Sequence, residues 1–251
     1  MCMFSSPVKA VEGTNIFVRR TSPTSQVLVY SMKYQANAEL AMILPLPKSL
    51  GAGEDAVTFI DLSICPFFFK DMARGFEEPR PRSISAEGAK GLAAPTLKVH
   101  EVGSFEASWV PALSDFIRLD GRFRLPEKVW GQLPQYVDYG FAVFKLKAGE
   151  KTIHPMALEF QTREPNRLFF PTVHVHNGSV KPKALFHHSL YCQSEYPGAS
   201  WQTSATTSGE PLLACNFMDV GKTKGLLLPN QVVFKRSVVG RRPNEDFWVA
   251  G

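Results

Sequence analysis

The residue types best suited to chemistry gather in one stretch, residues 171–192, "PTVHVHNGSVKPKALFHHSLYC". It holds His174, His176, His187 and His188, four of the chain's six histidines, together with Cys192. Alternate residues of a strand share a face, so His174 and His176 point the same way, ~6.6–7 Å apart. A turn at Asn177-Gly178 predicts a hairpin whose return strand presents His187 and His188 on opposite faces. A two-residue turn puts His187 on the face of the pair but opposite residue 168, too distant to join it. A loop over 177–182 moves His187 opposite Thr172, beside His174, and leaves His188 facing the other way with Cys192. Three neutral imidazoles and one open position would suit zinc or copper, with iron as a further candidate. Cys2 or Cys192 would be an additional ligand, and the site would serve redox or hydrolytic chemistry. The competing reading is a solvated sheet face whose histidines do nothing chemical.

The second set lies at the start. Removal of Met1 would leave Cys2 with a thiol beside an amine of pKa about 7.7–8.0, a base within reach of its nucleophile. The opening "MCMF…IFVRR" is similar to that of N-terminal-nucleophile hydrolases, bile-acid amidases among them. That similarity implies amide hydrolysis by Cys2 with Arg19 or Arg20 assisting. A small buried cysteine opening a strand is the structural alternative. His100 and His154 read as structural. Asp115, Asp120 and Asp138 have no spacing to a histidine that argues for catalysis, and "GKTKG" at 221–225 lacks phosphate-loop spacing.

The elements that must position these residues read mainly as strands. Residues 14–18, 26–34, 40–46, 56–62 and 96–110 are rich in β-branched and aromatic side chains. Pro45 restricts its strand to an end or an edge. Residues 139–147, 153–160 and 168–176 predict a three-strand antiparallel meander, and 211–217 and 231–239 two further strands. Between them, 112–135 predicts a short helical insert. Leu113, Phe116 and Ile117 share one helical face, and Val129, Trp130 and Leu133 share another behind Pro126. Residues 74–95, rich in Gly, Pro, Arg, Glu and Ser, predict an exposed loop.

The order of these elements resembles a bacterial family of unknown function, many of whose members look secreted or lipid-anchored. The resemblance lies in Cys2, Phe4, Pro7-Val8, Ile16-Phe17, Tyr34-Gln35 and "ILPLP" at 43–47. It continues through "HEVGSFEASWVPALSDFIRL" and "LPEKVWGQLPQYVDYGFAVFKLKAGEKTIHPMALEF" to Phe170-Pro171, spreading over about two thirds of the chain. It implies no activity or catalytic residue, and the histidines after Pro171 are not part of it.

Composition bounds the rest. With 251 residues, 44% hydrophobic and 20% charged, the chain has the make-up of a folded globular protein. No apolar run reaches the ~18 residues of a membrane span. The first residues lack the basic and apolar regions of a signal peptide. Four scattered cysteines are no disulfide framework, so a reduced cytoplasmic protein is expected. The net charge of +5 is modest, and the basic clusters 80–82 and 235–242 lack the interleaved aromatics that stack bases. A small molecule or metal ion is therefore a better expected partner than nucleic acid. The expectation is a single mainly-β (α+β) domain over 1–251, built as an antiparallel two-sheet sandwich with its helical insert at 112–135. Its expected function is transition-metal binding through His174, His176 and His187 or His188. An N-terminal cysteine amide hydrolase and a non-catalytic interaction module are the alternatives.

Overall fold

A computed structural model describes residues 3–76, 100–102, 105–152, 154–195 and 197–250. In chain order its strands begin with β1 (Met3–Phe4), β2 (Ala10–Ser22), β3 (Ser25–Ala36), β4 (Leu40–Leu46) and β5 (Val57–Ile60). Then come β6 (His100–Val102), β7 (Phe105–Val110), β8 (Gly140–Leu146), β9 (Gly149–Thr152) and β10 (Met156–Gln161). The last five are β11 (Arg167–Phe170), β12 (Lys183–Gln193), β13 (Gln202–Thr203), β14 (Phe234–Pro243) and β15 (Phe247–Ala250). Two short α-helices are α1 (Phe68–Ala73) and α2 (Glu127–Trp130).

One sheet runs β1-β4-β8-β7-β6, antiparallel throughout. The larger sheet runs β13-β14-β12-β2-β3-β10-β5, with β9 also beside β3, and β11 and β15 form a separate ribbon. Its pairs are antiparallel except β12 on β2, which is parallel. The fold is thus mainly β, as the sequence predicts.

Alternation within β2 and β3 explains why both read as nearly continuous apolar runs. Ile16, Val18, Leu28 and Tyr30 enter the large core between the sheets, with Met42, Phe141 and Phe144 of the opposing sheet. Phe17, Val27 and Val29 point the other way into a second cluster, capped by Phe68, Phe69 and Met72 of α1 and by Ala214, Phe217 and Leu227. A sheet covered on both faces has no polar face to show.

Three expectations need correcting. The meander does not form: β8 lies between β4 and β7, β10 between β3 and β5, and β11 pairs β15. β8 and β10 pair instead with the apolar strands β4 and β3, both longer than the four-residue β9 that lies between them in the chain. Residues 211–217 hold two isolated bridges and a 3-10 turn at Ala214–Asn216, not a strand. The insert is helical, but 3-10 turns at Leu113–Arg118, Gly121–Phe123 and Pro134–Tyr136 surround the four-residue α2. Three residues per turn align Leu113 with Phe116 and rotate Ile117 outward, where it is 75% exposed. Of the predicted 74–95 loop, Arg74–Phe76 is a 3-10 turn and 77–95 lies outside the described residues.

Candidate functional site

The histidine stretch is not a hairpin. β12 pairs β14 on one side and β2 on the other, so it has no free edge for residues 171–176. These residues instead run beside the first strand: Met3 bridges Val175 in parallel, and the Phe4 N–H donates to the Val175 carbonyl at 2.9 Å. Phe4 pairs Met42 of β4, and Met3 pairs Ile43. The two residues of β1 are thereby wedged between β4 and Val175, at 0% and 1% exposure.

The turn between β14 and β15 holds the other side of 171–176. Asp246 Oδ1 accepts the backbone N–H of Thr172 at 2.7 Å and of Val173 at 3.1 Å. Its Oδ2 accepts the Tyr136 hydroxyl at 2.6 Å. Asn244 Oδ1 accepts the His174 N–H at 2.7 Å, and its Nδ2 donates to the carbonyls of His174 and Lys181. One side chain thus does for His174 what a neighbouring strand would do. Burial pushes the Asp246 carboxyl up to about 6, outweighing three hydrogen bonds that favour its charged form.

Three imidazoles collect under this clamp. His174 lies 5.4 Å from His176, nearly parallel, and 5.3 Å from His188, measured between ring centroids. Phe186 sits 4.4 Å from His174 and 4.9 Å from His188, while Phe4 meets His176 edge-on at 5.7 Å. Burial holds His174 down at about 2 and His176 at about 4, and it lowers His188 as well. All three rings are therefore neutral at pH 7. The buried Nε2 atoms of His174 and His176 have no hydrogen-bond partner among the described residues.

The sequence-derived candidates divide accordingly. His174 and His176 share a cluster, and its third member is His188. On β12 the inward residues are Phe186, His188, Leu190 and Cys192, while His187 is exposed opposite Val239. Cys192 is fully buried four residues along from His188, and burial raises its thiol to about 12. Among the described residues no three His, Cys, Asp or Glu side chains converge as a metal ion requires. Cys2 lies outside the described residues. Arg19 faces away from the large core: it donates to the carbonyls of Leu226, Arg20 and Gly225 at 2.9, 2.9 and 2.7 Å. Arg20 donates to those of Pro23 and Arg167. The structure thus commits both guanidiniums to backbone rather than gathering them beside β1. Sequence reasoning missed Asp246, Asn244, Phe4 and Phe186. The polar run Pro243-Asn-Glu-Asp246, wedged between a basic strand and an aromatic pair, is the signal that marks the clamp.

No family model matches this chain, and no curated protein matches it. Similarity appears in the fold. The crystal structure of baculovirus P35 is 12% identical in sequence with a TM-score of 0.52, over 99% of this chain and 99% of that one. A mutated baculovirus P35 after caspase cleavage, at 2.7 Å, aligns at 12% identity with a TM-score of 0.48, covering 95% of this chain and 99% of that one. The caspase-8/P35 complex aligns at 12% identity and a TM-score of 0.48, covering 95% and 96%.

Proposed function

We propose that this protein is an interaction module that binds a caspase-type protease. The observation that carries the proposal is the likeness of its fold to baculovirus P35 along essentially the whole of both chains. P35 is a protein that has been solved after caspase cleavage and in complex with caspase-8. The extension from shared fold to shared partner is an analogy. A rigid two-sheet scaffold with long connections is the architecture on which binding loops are displayed. Residues 77–99, which lie between β5 and β6 in the chain, contain Glu77, Glu78 and Glu87 but no Asp. Complex formation with the protease is the direct readout of this reading. Purified protein mixed with caspase-8 is expected to co-elute with it on size exclusion and to suppress its hydrolysis of a peptide substrate. Separate elution with undiminished protease activity at micromolar concentrations would overturn the proposal.

A further inference from the structure

The first strand is the shortest element of its sheet, yet it is among the most deeply buried. Two residues give it few ladder hydrogen bonds, so side-chain packing must hold it. On one side that packing is β4. On the other it is Val175, with the His176 ring against Phe4 and, beyond it, His174, Phe186 and His188. A neutral imidazole packs as an aromatic ring; an imidazolium in the same place is an uncompensated buried charge.

We propose that the histidine cluster is an acid-sensitive latch on β1: neutral, it seals the strand between β4 and Val175, and protonated, it releases the strand and frees the edge of β4. His176 is the member that touches β1 and the least buried of the three. The charged and titratable groups facing the cluster favour release. From the segment itself these are His174 and His176, and from β12 His188, with His187 exposed on the other face of the strand. From the β14–β15 turn, Asp246 has its oxygens taken by Tyr136, Thr172 and Val173 rather than by an imidazole, and the Glu245 side chain is exposed. Burial depresses His176 to about 4 in the sealed form, against about 6.5 once released. That difference makes the released form about twentyfold more populated at pH 5 than at pH 7.

Hydrogen exchange of the full chain tests this, with protection factors corrected for the intrinsic pH dependence. The Phe4 and Ser5 amides, bonded to Val175 and Ala41, should lose protection about twentyfold between pH 7 and pH 5. The Val18 and Val29 amides in the centre of the large sheet should stay far better protected. His176→Phe keeps an aromatic ring against Phe4 without a titrating group, so its β1 protection should not change over that range. His176→Gln is the fallback if the phenylalanine variant does not fold. Unchanged β1 protection at pH 5 in the natural protein would overturn the latch. So would an equal loss in the non-titrating variant, or loss of β1 protection only in step with Val18 and Val29, which would be global unfolding.

Discussion

At the scale of single residues, Asp246 and Asn244 hold the histidine stretch through its backbone. Asp246→Ala would orphan the buried N–H groups of Thr172 and Val173 and the Tyr136 hydroxyl together. A lost partner of this kind costs about 1–3 kcal/mol, so a destabilisation of about 3 kcal/mol or more is expected from the urea midpoint. Asp246→Asn keeps an acceptor for the two backbone groups and should cost clearly less; equal losses would show that the acceptor geometry is not what counts. The histidines themselves were legible as a group, because clustering of four in fifteen residues is visible in any reading of the chain. Which of His187 and His188 faces inward was not. That choice depends on what β12 pairs with, and its partners, β2 and β14, lie far away in sequence. A one-residue change of register exchanges the two faces. Val175 shows the same limit. A half-solvated strand would alternate, but Val173, His174 and Val175 are all buried, because β1 and the β14–β15 turn cover both sides.

At the scale of elements, strands were easier to find than to pair. β2 through β5 and β8, β10 and β14 stand close to where apolar runs place them, because those runs end at turn residues. Chain order does not give the pairing: β8 and β10, ten residues apart, enter different sheets. Pro45 behaves as its chemistry requires. It sits in β4 past the reach of β1, which covers only Met42 and Ile43, so no ladder donor is missed. The contact between β8 and β7 supplies an element-scale test. A Cβ on Gly140 would lie 2.0 Å from Cη2 of Trp109, whose indole N–H is tied to the Gly53 carbonyl at 3.0 Å. The ring cannot easily step aside, so Gly140→Ala is expected to cost about 2 kcal/mol. Trp109→Phe removes the atoms that clash. In the double variant the alanine should therefore add little, giving a non-additive cycle in denaturant titrations. Additive losses would mean that the strands shift apart to accept the methyl group.

At the scale of the whole molecule, class was legible and topology was not: alternation and composition report local burial, whereas sheet order is set by contacts between distant segments. The same burial that hid the site makes the protein sensitive to acid. His174, His176 and His188 all have folded-state pKa values below the unfolded value of about 6.5, with burial as the first cause. Above pH 6.5 neither state binds protons at these rings, and stability is at its full value. As pH falls, the unfolded chain takes up three protons that the folded one refuses, so stability is lost at about 1.4 kcal/mol per pH unit for each ring. Asp246 acts with the opposite sign. Its folded value of about 6 lies above the unfolded carboxyl, so between those values the folded chain holds one proton more. Three histidines against one aspartate leave a net uptake of two protons on unfolding, a slope of about 2.7 kcal/mol per pH unit between pH 6 and His176's value of about 4. Urea denaturation at half-unit steps from pH 7 to pH 4.5 measures this slope. His188→Leu should reduce it by about half, since one of two net protons disappears, whatever the variant does to stability at pH 7. Stability that stays flat down to pH 4.5 would mean that these rings are hydrated well enough to protonate in place.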